Sequence, residues 1–446
     1  MSIERRLLRG VTTYSAIVES ETNYLLKLTY FDERNKFFTL LKQSRAEIET
    51  IVAYHLGLRI EGSQRRVIIR FSLPYRVGEN VFPGNANEKV RCEAGAYAWL
   101  QQECPSIPIP YLHGFGLSNG PHFTSVRNLP WLSRWLQRLR RVLLWIQHRQ
   151  QSSNYIPNHT LTLQNPFGSY LVMDYIEESE GQMLSKTWDE LANRPLTSML
   201  QELENTGVPM HIVRDRTYTS VIAYVTDLLS YHDNQLRHNL NAVKGIGDCV
   251  SQMCALTIMK AVAPQFYNHD SDAGPFAFSL TDLHQSNIFV DKDWNITHII
   301  DLEWAASLPV EFIQLPHWLD GMEVDAINLD SYKNQAEEFT GILEEGEKKA
   351  EEAESHHPFR LSHTIRSGWK IGTFWYNLAL RNPPALYSLF YNRIQPQFAA
   401  QHLNDQEFYK IVGFYWCREA SAFIRTKCND KKNYDIQLRE AFQMNN

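Results

Sequence analysis

Short apolar runs bounded by turn residues alternate along this chain with longer stretches whose apolar positions recur every three or four residues. The first rhythm suits strands, the second helices. Phe276–Leu280, Ile288–Val290 and Ile296–Ile300 are runs of the first kind, the last two joined by the turn-rich Asp291-Lys292-Asp293-Trp294-Asn295. Thr281 to Asn287 is then a loop mounted on strands. Upstream, Arg66–Leu73, closed by Pro74, and Tyr170–Ile176 read as buried strands, and Tyr111–Gly116 starts another. Helical spacing marks 32–57, 87–103, 131–150, 217–260 and 333–354, with aromatic-rich closing helices at 369–381 and 408–424. Tyr75–Asn87 and 151–168 are polar and irregular, and no internal repeat is present.

The polar residues that interrupt this pattern carry the chemistry. The loop holds Asp282, His284 and Asn287, and the hairpin that follows turns Asp301 back towards Asn287. Two carboxylates and an amide are hard oxygen donors of the kind Mg²⁺ takes, although Asp and Asn in such a loop also serve simply as turn formers. Arg70 lies inside a β-branched run, where an unpaired charge is costly. Val90, Tyr97 and Leu100 share one stripe of the 87–103 helix with Glu93, which makes Glu93 the expected partner of Arg70. A structural ion pair, or a surface Glu on an imperfect helix, is the alternative.

Residues 131–150 contain five arginines and no acid, with Trp131, Trp135, Leu139, Val142 and Ile146 on one stripe. An inserted helix docked on its own domain is the expectation, and a surface for anionic membrane or a partner the alternative. The run from Glu344 to Glu354, six Glu with two Lys, reads as a solvated face. His232 and Asp233 read as a solvated helix end rather than a metal site.

Composition narrows the class. At 446 residues, with 43% apolar and 21% charged residues, the chain is an ordinary globular protein of one or two domains. A net charge of −6 gives no general attraction to nucleic acid or membranes. MSIERRLLRG lacks the apolar run of a signal peptide, and no apolar stretch predicts a membrane span. The six cysteines form no CxxC pair and no zinc spacing, so reduced thiols and a cytoplasmic location are expected.

TDLHQSN followed after thirteen residues by Asp301 has the order of catalytic Asp, Asn and metal Asp used by protein-kinase-like phosphotransferases. It resembles the aminoglycoside phosphotransferase and choline kinase branch. More narrowly, TDLHQSNIFVDKDWNITHIIDLEWAASLPVE resembles the fungal aminoglycoside-phosphotransferase-like proteins. RVIIRFSLPYRVGE and EKVRCEAGAYAWLQQECPSIPIPYLHGFG match that family's third strand and following helix, and GQMLSKTWDEL its entry into the larger lobe.

The resemblance implies a bilobed α+β protein-kinase-like fold. Residues 1–56 would be a helical extension, 57–175 a β-containing N-lobe with 131–150 inserted, and 176–446 a helical C-lobe carrying loop 281–287 and Asp301. Asp282 would orient an acceptor hydroxyl and take its proton late. Asn287 and Asp301 would hold Mg²⁺ on the ATP phosphates. Arg70, placed by Glu93, would contact the phosphates where most relatives have Lys, and Met173, Asp174, Tyr175 and Ile176 would form the hinge that binds adenine; the alternative for that segment is one more core strand. Glu303 would assist the metal or cap the chain that follows. The implied function is phosphoryl transfer from ATP to a hydroxyl of a small molecule, with a nucleotide-binding pseudokinase of little turnover as the alternative. No nucleic-acid partner is expected, and oligomeric state is left open.

Three departures bear on activity. Leu280 stands where the family has His, two residues before Asp282. Only Gly57–Arg65 lies between the first helix and the Arg70 strand, too short for a glycine-rich hairpin over phosphates. TWDELANRPLTSMLQELENTG runs through a place where relatives carry further helix. These are real losses or skipped exons.

Overall fold

A computed structural model describes residues 3–58, 66–118, 120–147, 153–158, 167–177, 179–180, 182–183, 204–210, 212, 216–281, 283–302, 305–322, 324–352 and 359–443. The chain is α+β and mostly helical (57%), with an antiparallel five-stranded sheet in its N-terminal part. It divides into two compact units, neither continuous in sequence. One comprises 29–205 and 280–305, the other 1–28, 206–279 and 306–446.

The second unit is helical and includes both ends of the chain. It opens with a hairpin of β1 (Glu4–Arg6) and β2 (Val11–Thr13), then the single turns α1 (Tyr14–Ile17) and α2 (Tyr24–Lys27). These dock on the last helix, Ala420–Gln443, through Ile17, Tyr434, Leu438 and Phe442. The Tyr434 hydroxyl accepts a bond from the Tyr24 N–H at 2.9 Å. Residues 1–28 are thus part of the helical unit and not a separate extension.

The first unit holds the sheet. α3 (Tyr30–Gln43) and α4 (Arg45–Leu56) break at Ser44, so the 32–57 pattern is two helices. They are followed by β3 (Val67–Phe71), α5 (Asn85–Glu103), β4 (Leu112–Gly116) and β5 (His122–Ser125). Next come α6 (Trp131–Ile146), β6 (Tyr155–Asn158) and β7 (Tyr170–Asp174). The sheet order is β3-β7-β4-β5-β6, with β3 and β6 at opposite edges. β6 lies within the stretch whose composition reads as irregular: Ser, Asn and Pro around it hide a strand of four residues that pairs along β5.

Two-residue alternation along β7 sorts its side chains to opposite faces. Leu171 and Met173 meet Val90, Tyr97 and Leu100 of α5. Tyr170 and Val172 meet Ile51 of α4, with Leu40 and Leu41 of α3 beside them. The helices expected to stand ahead of the fold therefore cover one face of its sheet.

That face contains a buried polar network. His55 reaches Thr124 Oγ1 through Nδ1 at 2.8 Å and the Tyr170 hydroxyl through Nε2 at 2.9 Å. His122 Nδ1 lies 2.7 Å from the same hydroxyl. With one proton, that hydroxyl donates to one imidazole and accepts from the other. Gly114 is required beneath His55, since a Cβ there would clash with the imidazole and stand 2.6 Å from the Phe123 carbonyl. Burial first, then the neighbouring His122 and His113, hold the His55 pKa down at about 3.

After a two-residue strand β8 (Gln182–Met183), the main helices of the helical unit begin with Val221–His238, capped by the Ser220 hydroxyl, and Ile246–Val262. By length and apolarity Ile246–Gln265 would also suit a membrane span, although polar residues interrupt its apolar run; about half of it is buried within the unit. His232 is not at a solvated helix end. It is buried, donates from Nε2 to the Leu380 carbonyl at 2.8 Å, and burial lowers its pKa to about 4. Asp233 pairs with Lys260 and accepts from Trp416 Nε1 at 2.7 Å. In the Glu run, Glu345 and Glu352 are exposed as expected, while Glu344 and Glu351 pair with Arg366 and Arg360, and Glu347 accepts from the Leu361 and Ser362 N–H groups at the start of helix Leu361–Ile371. Of the entry segment 181–191, only β8 falls within the described residues.

Candidate functional site

β9 (Phe276–Leu280), β10 (Ile288–Val290) and β11 (Ile296–Ile299) form where the apolar runs predict them. β10 pairs antiparallel with β11 and also with β8; β9 pairs instead with β12 (Ala305–Pro309). The turn between β10 and β11 closes on Asp291, whose carboxylate accepts the N–H groups of Asp293 and Asn295, each at 2.9 Å. Trp294 takes the left-handed conformation there, φ 65°.

This hairpin belongs to the sheet unit rather than to the helical one. Chain order assigns it to a C-terminal lobe; backbone bonds decide otherwise. The Ile299 N–H donates to the Pro108 carbonyl at 2.8 Å, and Leu302 is buried with Val90 and Tyr97 beneath α5. Between those anchors, the Ile300 N–H donates to the Asn287 carbonyl at 2.9 Å. The backbone of Asn287 thus lies one hydrogen bond from the residue preceding Asp301. Asp301 itself is left-handed at φ 61°, a conformation that costs a residue with a Cβ about 1–2 kcal/mol and tends to accompany functional sites.

Arg70 projects from edge strand β3 into this corner. Its Nη1 donates to Glu93 Oε1 at 2.7 Å and its Nη2 to Asp301 Oδ1 at 3.0 Å. The guanidinium fork therefore joins the sheet, α5 and the hairpin in one triad. The side chains of Arg70 and Asp301 are 32% and 25% exposed, while Glu93 is 1% exposed. Burial raises the Glu93 pKa, the nearby Arg70 charge offsets part of that rise, and Asp301 adds to it. Glu93 Oε2 is buried and has no hydrogen-bond partner among the described residues, so the carboxylate is only half satisfied.

The segment expected to form a hinge, residues 173–176, is part strand, part link. Met173 pairs with Ile68 on β3 and Leu112 on β4, and its sulfur faces the Tyr97 hydroxyl. The Asp174 N–H donates to the Tyr111 carbonyl at 3.0 Å, and its carboxylate accepts from His113 Nε2 at 2.9 Å. Asn128 Nδ2 donates to His113 Nδ1 at 2.9 Å, which fixes the proton on Nε2. With β7 lying between β3 and β4, Tyr175 and Ile176 are the residues of this segment beyond the ladder. The Tyr175 ring is capped by the Arg66 guanidinium at 4.6 Å, and Ile176 is half-buried.

Asp282, the expected proton acceptor, and Glu303 lie outside the described residues. Among the described residues no group of three or more His, Cys, Asp and Glu side chains forms a metal cluster. Asn287 and Asp301 supply an amide and a carboxylate, donors of the hard type that suits Mg²⁺, and one oxygen of Asp301 already accepts from Arg70. The donor chemistry fits the ion, with part of its ligand set engaged by a protein cation. The Arg70–Asp301 contact and the His113–Asp174 bond are not legible in the sequence, because each joins residues brought together only by the tertiary fold. Comparison with known protein families, with curated proteins and with solved structures finds no match to this chain.

Proposed function

We propose that the sheet unit is a Mg²⁺–nucleotide site of protein-kinase-like type, and that the chain is an aminoglycoside-phosphotransferase-like kinase acting on a hydroxyl of a small molecule. The observation that carries this reading is the triad: a strand cation held between a buried helix Glu and the Asp that follows the catalytic-loop hairpin. Kinase-like phosphotransferases use those partners to seat phosphates and metal. Mg²⁺, when bound, neutralises charge on the transferred phosphate. The chain's residues would do the rest. Arg70 would donate to phosphate oxygens, Glu93 would hold the Arg70 fork in place, and Asp282 would orient the acceptor hydroxyl and take its proton. The finer fold, a bilobed kinase-like one, belongs to the same proposal.

A second reading, a nucleotide-binding module with little turnover, is favoured by one contact. Arg70 Nη2 occupies Asp301 Oδ1, so an incoming cation must compete with a guanidinium already in place. The short segment before β3 adds to this, since losing one preorganised donor to a transition-state oxygen costs about 2.7–4 kcal/mol. Slow transfer with weak, Mg²⁺-dependent nucleotide binding is therefore the expected behaviour. Calorimetry with ATP, with and without Mg²⁺, is expected to give binding that Asp301→Ala abolishes. Turnover over a panel of hydroxyl acceptors is expected to be slow. Binding indifferent to both Mg²⁺ and Asp301→Ala would overturn the metal assignment, and robust turnover would overturn the second reading.

A further inference from the structure

Among the described residues, α6 shows no face docked on its own unit, contrary to the expectation for the inserted helix. Trp131, Trp135 and Ile146 are 72%, 54% and 60% exposed, and Leu132, Leu136, Leu139, Val142 and Leu143 are exposed with them. No described side chain of the helix is buried. At 3.6 residues per turn these eight apolar residues fall within about 140° of the helix circumference. Arg138 borders this face beside Trp131, and Arg140 borders its other flank beyond Leu136. Arg134 and Arg141 lie opposite. Arg134, Arg138 and Arg140 are exposed.

A helix of sixteen residues with no buried side chain among those described is marginal in water on its own. The apolar area it leaves in water contributes nothing to folding until something covers it. The charge pattern indicates what. Residues 131–150 carry five arginines and no acid, so a second copy seated on this face would bring like charges together. An aliphatic and indole face flanked by guanidinium groups matches a bilayer surface instead. The apolar side chains enter the acyl boundary, tryptophan sits at the interface, and arginine meets anionic headgroups. The insertion is also well placed for an added function: it leaves the sheet after β5 and returns at edge strand β6, opposite the edge that carries Arg70.

We propose that α6 is an interfacial helix that binds this protein to membrane surfaces rich in anionic lipid, independently of the phosphotransferase reading. The test is flotation of the full chain with phosphatidylcholine vesicles, with and without phosphatidylserine. Wild type is expected to float with phosphatidylserine vesicles and to lose that binding as salt is raised. Replacing the flanking Arg138 and Arg140 by Gln is expected to weaken binding by about five-fold per residue, and replacing Arg134, on the far side, by much less. Replacing Trp131, Trp135, Leu139 and Ile146 by Gln is expected to abolish it, with the far-UV circular dichroism of the rest of the chain retained. Failure of the wild type to bind phosphatidylserine vesicles overturns the proposal, as does undiminished binding by the Gln variant of the apolar face. A concentration-dependent dimer in sedimentation, lost in that variant and unaccompanied by vesicle binding, assigns the face to a second copy and overturns it as well.

Discussion

The two edges of the five-stranded sheet invert the usual relation between side-chain type and burial. At the β3 edge, Arg70, Glu93 and Asp301 are drawn together, with Glu93 sealed from water. At the other edge, the connection into β6 leaves two tryptophans and six aliphatic residues in the open. Both regions show amphipathic helical spacing in sequence. What separates them is the surface each helix meets. α5 lies against Leu112, Leu171 and Met173, so even its carboxylate is carried inside and must find a partner. α6 meets no such surface among the described residues, so its apolar stripe stays outside. Burial is decided by the opposing surface as much as by the residue.

Removing a charge from the first region is expected to have the largest effect. Arg70→Met leaves Glu93 buried without its cation, and breaking such a pair costs about 3–5 kcal/mol. Urea unfolding measures this directly. The loss should depend on pH. A carboxyl whose folded pKa is raised contributes stability that is full below its unfolded value of 4.5 and is lost as pH rises through the folded value. With Arg70 gone the rise is greater, so the variant should lose stability towards neutral pH more steeply than wild type. A loss below about 1 kcal/mol would mean that the pair behaves as a surface contact and that the contrast between the edges is false.

The polar network on the α4 face of the sheet gives a smaller effect of opposite sign. His55 has its pKa depressed from 6.5 to about 3. It therefore contributes stability above pH 6.5 that is lost as pH falls towards 3. Between pH 7.5 and 4.5 that loss is roughly 2–3 kcal/mol. His55→Gln should flatten this acid limb relative to wild type. An unchanged slope would show that the imidazole is not excluded from water.

The second region should show the smallest effect. Trp135→Gln and Ile146→Gln remove exposed apolar groups from α6, and substitutions away from packed features usually stay within about 0.5 kcal/mol. A loss of several kcal/mol in unfolding experiments would place α6 in a packed interface and close the gap between the two regions.

The site was partly legible. Glu93 is recognisable on the Val90–Tyr97–Leu100 stripe, and Arg70 in its β-branched run asks for a partner; the structure joins them at 2.7 Å. The hairpin of Asp291–Asn295 follows from turn chemistry alone. Arg70's second bond, to a residue 231 positions away, was not legible, because no local period encodes it. Nor was β6, whose strand character comes from pairing with β5 rather than from its own residues.

Local rules thus determine which segments become strands, helices and turns, since φ/ψ preference and side-chain period act over a few residues. They also determine that α6 is amphipathic and basic. Only the tertiary structure decides that α5 carries its polar residue inward while α6 leaves its apolar ones outside, and that His232 is a core residue rather than a solvated one. Those outcomes depend on which surface arrives opposite each segment, a property of contacts between residues far apart in the chain.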